Sequence, residues 1–343
     1  MAIKKVQIKN ITVFDKMELE FSPGINVFVG DNGVGKTHLM KILYSACQAS
    51  DPKVSFSQKM VRCFCPDDYK IARLIHRKQG MVDACVRVTS QDGADSKAIS
   101  AAFNNKTKKW DANISGIDGW EKHAEMLKSV FIPAKEILSN SFNLNAAVEK
   151  NNIIFDDTYL DIINAAKIDI SVGKDAAKKR DILKRIEEII NGKVTFDVKR
   201  DEFYLRRKGT KFEFNLVAEG LRKFALLWQL IKNGALMNGA ILFWDEPEAN
   251  INPIHIPVIV EILLELQRNG VQIFVSTHDY ILAKYFDIYR TDSDSVDFSF
   301  FYFEDEEVRC KQGKTFDSVE NNPIMKAFDG LLDTVYGKLL AEI

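Results

Sequence analysis

No sign of charge dominates this chain: 47 lysines and arginines face 48 aspartates and glutamates over 343 residues, a net charge of −1 with neutral histidines. Bulk attraction to nucleic acid is thereby excluded as its organising principle, although a local basic patch is not. No apolar run approaches the ~18–20 residues that span a bilayer. The N-terminus, MAIKKVQIKNITVF, alternates apolar and polar residues where a signal peptide would carry an apolar block. Cysteine is sparse and odd in number, at positions 47, 63, 65, 85 and 310. Cys63 and Cys65 stand too close for the usual zinc spacing, so all five read as free thiols in a reducing cytoplasm. Internal repeats and low-complexity stretches are missing too. What remains, 46% hydrophobic and 28% charged residues, is the composition of a folded globular protein with one large or two smaller domains.

Ile3–Ile8 and Phe14–Phe21 alternate as strands. After the turn Ser22-Pro23-Gly24, Ile25–Val29 is apolar enough for a strand buried on both faces. Directly behind it stand Gly30, Asp31, Asn32, Gly33, Val34, Gly35, Lys36 and Thr37, and a helix runs on from His38 to Tyr44. This is the phosphate-loop pattern between a strand and a helix. A random chain of this length would match its four fixed positions with odds of about 1%. The glycines let successive N–H groups turn inward at a helix N-terminus. Lys36 then places a charge on the β- and γ-phosphates, and the Thr37 hydroxyl ligates Mg²⁺.

Between residues 50 and 215 the pattern is weaker. Val82–Val88 and Val130–Ile132 read as strands, and Asp92–Ile117 as loops or a hairpin with Lys106, Lys108 and Lys109 beside Trp110. Thr158–Lys167 and Lys174–Ile190 have helical periodicity. Val194–Val198, Phe203–Leu205 and Phe212–Phe214 suggest a short antiparallel meander.

From Ala218 the chain is legible again. Ala218-Glu219-Gly220-Leu221-Arg222-Lys223 opens a helix to Lys232, and Ala240–Trp244 is a second fully buried strand. Asp245 and Glu246 emerge at its end, beside the phosphate loop if the sheet is parallel. Asp245 would hold Mg²⁺ and Glu246 would polarise the attacking water as general base. His278, 33 residues on, follows another strand, Gln272–Val275, and can hydrogen-bond a γ-phosphate. A strand at Phe298–Phe303, a polar stretch and an amphipathic helix near Met325–Leu340 close the chain.

These residues resemble the ABC-type ATPases of the SMC and RecF-like class, in particular compact AAA family ATPases related to the ATPase half of OLD-family proteins. The resemblance rests on GDNGVGKT (30–37), FIPAKEIL (131–138), AEGLRK (218–223), ILFWDEPEANINP (241–253) and STHD (276–279), which occur in the family's order. It implies an α/β fold, a P-loop NTPase head of mixed sheet and flanking helices with an inserted helical lobe. The core would comprise residues 1–50 and 215–303, the lobe and antiparallel strands 51–214, and a helical extension 304–343. It also implies that residues 30–38, His38 included, bind ATP. Ala218, Glu219 and Gly220 would reach the γ-phosphate held by a second copy, with Asn250–Pro253 at the dimer contact. The family's signature carries a serine and two glycines where this chain has Ala218-Glu219-Gly220, so Gly220 and the helix N-terminus would make that contact. Gln79 is nearest by order to the glutamine loop, but reads better as a surface residue.

The functional expectation is an ATPase using ATP and Mg²⁺ as a homodimeric switch. No separate nuclease domain fits after residue 303, so the switch would control a separate effector such as a nuclease in bacterial anti-phage defence. The alternative is a RecF- or SMC-like DNA-binding ATPase in repair or maintenance. Clusters at Lys106–Lys109 and Lys174–Arg180 would serve DNA or be plain solvated faces. No membrane partner is implied.

Overall fold

The computed structural model describes residues 1–123, 127–151, 153–170, 176–318 and 322–341. The chain opens with an antiparallel pair, β1 (Ala2–Ile11) and β2 (Phe14–Glu20), and enters the interior along β3 (Ile25–Gly30). Helices α1 (Lys36–Gln48) and α2 (Phe56–Phe64) follow, then the hairpin β4 (Asp83–Asp92) and β5 (Asp95–Asn104) with a short β6 (Asn113–Ser115). Next come α3 (Ile117–Trp120), β7 (Ser129–Ile132), α4 (Leu144–Asn151), α5 (Asp157–Lys167) and α6 (Ala177–Ile190). A meander β8 (Lys193–Asp197), β9 (Glu202–Arg207) and β10 (Thr210–Glu213) precedes α7 (Glu219–Lys232) and β11 (Ile241–Asp245). The chain continues as α8 (Ile256–Arg268), β12 (Gln272–Thr277), α9 (Tyr280–Tyr289), β13 (Val296–Glu304), β14 (Glu307–Gly313) and α10 (Pro323–Ala341).

The described strands form three sheets. The central one has the order β14-β13-β3-β12-β11-β7, parallel throughout except for β14. The second is the antiparallel order β2-β1-β4-β5-β6, and the meander is the third. Alternation along the central strands separates two cores. Leu242, Trp244, Ile273 and Val275 face one core with α5 to α9, while Ile241, Phe243 and Phe274 face the other with α1 and the antiparallel sheet. Phenylalanines run across the sheet on that second side: Phe131 and Phe243 stack at 6.2 Å, and Phe243 and Phe274 at 4.9 Å. Parallel strands buried on both faces are mostly apolar, which is why these segments are so legible.

Residues 51–214 supply strands to all three sheets, and their helices lie on those sheets. Ile163 of α5 and Ile186 of α6 belong to the same core as β11 and β12. Asp92–Ile117 is indeed largely a hairpin arm, with β5 and β6 in it. One expectation needs correction. The stretch 304–343 is not only helical: Glu307–Gly313 pairs with β13 as an edge strand whose polar residues face solvent. The basic stretch Lys174–Arg180 starts outside the described residues, and its helix is described from Ala177.

Candidate functional site

Because β3, β12, β11 and β7 run parallel, the segments that follow them emerge along one sheet edge. They are the phosphate loop, His278, Asp245-Glu246 and the FIPAKEIL segment. The switch-point logic of open α/β sheets puts a ligand there. Gly35 caps α1 at φ 88°, and a Cβ there would lie 2.5 Å from Val13 Cγ2, so both conformation and space demand glycine. Lys36 is buried, and its ammonium donates to the carbonyls of Gly30 (2.6 Å) and Asp31 (2.9 Å). Burial lowers its pKa, opposed by the charges of Glu246, Asp245 and Asp31.

Thr37 Oγ1 donates to both oxygens of Asp245, at 3.0 and 2.9 Å, and Ser276 Oγ donates to the same carboxylate. Asp245 is 8% exposed, and burial raises its pKa against those two hydroxyls. A desolvated carboxylate held by hydroxyls and by no ion pair among the described residues suits a hard cation. One carboxylate and one hydroxyl are the usual protein share of a Mg²⁺ site that takes its other oxygens from phosphate and water.

Glu246 takes a left-handed φ of 46°, and its amide donates to Ser276 O at 3.1 Å. The turn brings Glu246 Oε1 to 3.2 Å from Nδ1 of His278. Glu246 and His278, at the ends of two adjacent strands, thus meet in space. Asp279 then caps α9, accepting from Leu282 N at 2.6 Å.

Two residues of this neighbourhood escaped the sequence reading. Lys223 is 2% exposed, and its ammonium donates to the carbonyl of Glu246 at 3.2 Å. Burial lowers its pKa, opposed by Glu248, Glu219 and Glu246. Glu248 accepts from the Thr277 hydroxyl at 2.6 Å, while its other oxygen is buried without a partner. Burial pushes its carboxyl up to about 7. The signal for Lys223 was present: an unbroken run, Phe224–Leu227, follows it, so the helix is enveloped and a lysine at its head is covered too.

Ala218 caps α7 without a side-chain hydrogen bond, having no hydroxyl to offer. Glu219 accepts from Asn250 Nδ2 at 2.9 Å, and a Cβ on Gly220 would lie 2.6 Å from Asn250 O. Signature segment and Asn250–Pro253 loop therefore form one surface within the chain. Arg222 donates to Glu136 at 2.6 Å and to Val217 O at 2.7 Å, tying FIPAKEIL to the same helix. The His38 ring lies 5.3 Å from that of Phe64 at a tilt of 54°, and burial, then Lys41, lowers its pKa to about 4, so it is neutral. It lines an open groove with Val13, His76, Arg77 and Phe303. Gln79 is exposed in the segment that follows this groove.

Residues 5–213 match the family described as AAA domain. Short stretches resemble the DNA replication and repair protein RecF of Lysinibacillus sphaericus, 29% identical over 92 residues, or 26% of this chain and 24% of that protein. RecF of Bacillus thuringiensis is 36% identical over 62 residues, 18% of this chain and 16% of that one. The matched stretches thus span a quarter or less of those relatives. Among solved structures, the Smc head bound to the C-winged helix domain of ScpA superposes with a TM-score of 0.59 at 13% identity, over 93% of this chain and 99% of that one. The SMC head domain from Thermotoga maritima gives 0.50 at 14% identity, over 92% and 100%. At these identities the likeness is one of fold, and it is the mixed-sheet head expected from the motifs. The chain belongs to the AAA domain family, and its fold is that of the SMC head.

Proposed function

We propose that the chain binds and hydrolyses ATP as a nucleotide-driven dimer switch. The observation that carries this reading is the meeting of three strand ends: Thr37 on both oxygens of Asp245, with Glu246 3.2 Å from His278. Lys36 and the loop amides hold the phosphates, and the Ala218–Gly220 and Asn250–Pro253 surface of a second copy closes over them. Thr37 and Asp245 would hold Mg²⁺, which when bound neutralises charge on the phosphate oxygens. Glu246 accepts the proton of the attacking water, and His278 orients that water and the γ-phosphate.

The RecF relatives are named for DNA replication and repair, which favours DNA maintenance as the setting over control of a separate effector such as a nuclease in anti-phage defence. The Smc head neighbour was solved with a domain of ScpA, which makes a protein partner the second class to seek. No helix among the described residues is long and apolar enough to cross a membrane.

The test is the solution mass of Glu246→Gln by light scattering with and without Mg-ATP, alongside turnover. The variant should double in mass on adding nucleotide and hydrolyse roughly 10²–10⁴-fold more slowly than wild type. A monomer that binds ATP without changing mass would remove the dimer; wild-type turnover would remove Glu246 as the base.

A further inference from the structure

A cavity of about 340 Å³ lies between α2, α4 and the first turn of α5. Its walls are apolar and largely aromatic. Tyr69 comes from the turn after α2, Trp110 from the β5–β6 connection, Val148 from α4, and Ile153 and Phe155 from the chain entering α5. Two of these rings are held by strained backbone. Asp68 and Tyr69 take left-handed φ values of 57° and 49°, and Lys109, just before the indole, takes 45°. Residues with a Cβ avoid that region, and such backbones persist only where the surroundings fix them. Here the two loops are tied to each other, with Ile71 N donating to Lys109 O at 2.6 Å. On the other side Ile153 N donates to Val148 O at 3.1 Å, and the Phe155 ring packs edge-on against Tyr159 at 5.9 Å.

The polar part of the lining comes from α2, where Gln58 and Arg62 stand one helical turn apart. Arg62 donates through Nε to Asp157 Oδ1 at 2.9 Å. Its two terminal nitrogens and the Gln58 amide make no hydrogen bond among the described residues. Asp157 is already committed: its other oxygen accepts from Lys59 at 2.8 Å. Lys59 also donates to Asp161 at 2.6 Å, and Asp161 accepts from Tyr44 of α1 at 2.6 Å. Arg62 is thus fixed from behind by a buried acid and half-exposed in front. Glu149, at the mouth, is exposed, and the Lys109 ammonium lies 5.8 Å from the centre of the Trp110 ring.

These groups select among ligands. An aromatic amine would find no free acid on the floor, because Asp157 is shared by two cations. A phosphate monoester, with nearly two negative charges, would meet one guanidinium flanked by Asp157 and Glu149. A carboxylate brings a single charge, and its two oxygens match the fork of N–H donors that a guanidinium presents. The rings offer stacking to a flat body, and the volume is at the lower end of small-molecule sites. We propose that this cavity binds a small aromatic carboxylate, its ring among Tyr69, Trp110 and Phe155 and its carboxylate on the terminal nitrogens of Arg62. The site lies apart from the phosphate loop and its occupation requires no nucleotide, so it stands or falls separately from the ATPase reading.

Of the four tryptophans, Trp120, Trp228 and Trp244 are buried, so emission from Trp110 reports on the cavity. The full chain, without nucleotide, is titrated with phenylpropionate, phenylpropanol and phenylpropylamine, which share one aromatic body and differ in charge. The acid should change the emission saturably and bind at least about tenfold more tightly than the alcohol, with the amine weakest. Trp110→Phe keeps a ring in the wall and should abolish the signal. Arg62→Met should bring the acid down to the affinity of the alcohol, and the alcohol's own binding shows that the pocket of that variant is intact. Tyr69→Ala should weaken all three ligands alike. Absence of saturable binding by the acid would overturn the proposal, as would an amine that binds as tightly as the acid. So would an Arg62→Met chain that still prefers the acid, or a signal that survives in Trp110→Phe and so comes from elsewhere.

Discussion

Single side chains decide how Glu246 is aimed. A left-handed backbone at a residue with a Cβ costs roughly 1–3 kcal/mol, and Glu246 adopts one at φ 46°. Lys223 helps to hold it there by donating to the Glu246 carbonyl from inside the fold. Lys223→Met keeps the packing of the stem and removes the donor, so the catalytic rate should fall about 10- to 100-fold with little change in ATP affinity. In a Glu246→Gln background the same substitution should change almost nothing; additive losses would mean that Lys223 acts elsewhere. Glu248 makes a prediction with pH. Its carboxyl titrates near 7 in the folded chain against 4.5 ordinarily, so the folded state holds an extra proton between those values. Stability is therefore greatest below the unfolded value and falls as pH rises through 7, by on the order of 3 kcal/mol at most. Glu248→Gln should flatten that part of a stability–pH curve measured by urea unfolding. The sequence disclosed Asp245, Glu246 and His278 because each follows an apolar strand. It hid Lys223 and Glu248 because lysine and glutamate ordinarily point to water, and only the tertiary packing of α7 against the 246–250 turn covers them.

At the scale of elements, the strand between two turns matters less than what it carries to the sheet edge. β7 brings Glu136 to the root of α7, where its side chain, with no exposed surface, meets Arg222. Removing one partner strands the other charge, so Glu136→Gln or Arg222→Met alone should cost about 3 kcal/mol in denaturant unfolding. The double variant should lose clearly less than the two losses together, and full additivity would mean the ions do not couple. The same turn of α7 carries Ala218–Gly220, so each single variant should also weaken nucleotide-dependent dimerisation. Legibility at this scale follows burial. β3, β11 and β12 are buried on both faces and read as mostly apolar runs. β14 reads EVRCKQG, with one fully buried residue, Val308, and an edge strand of that kind carries no pattern distinct from a loop. α2 was similarly veiled, because Lys59 buries its charge between Asp157 and Asp161 at 2.8 and 2.6 Å. Buried ion pairs imitate a solvated face in the sequence.

For the whole molecule, the question is whether residues 51–214 fold apart from the head. Their helices α5 and α6 share one core with β11 and β12, and α2, α3 and the strands β4 and β5 share the other core with α1. Two cores laid on opposite faces of the same strands cannot be lost separately without exposing the central sheet. The chain should accordingly unfold in one cooperative transition, with calorimetric and van't Hoff enthalpies in agreement. Nucleotide binding then reports on the entire fold. Mg-ATP at about a hundred times its dissociation constant should stabilise the chain by about 2.7 kcal/mol. For a chain of 343 residues, that corresponds to a rise in Tm of roughly 4 °C at about 2.1 cal/mol/K of unfolding entropy per residue. Glu246→Gln, which retains the bound nucleotide, should show the full rise, and Lys36→Ala should show none. Dimer closure adds to the shift and makes it grow with protein concentration. A scan with two separate transitions, only one of them moved by Mg-ATP, would mean that the middle of the chain is an independent body resting on the head; a single transition moved as a whole ties nucleotide, both cores and the dimer surface into one unit.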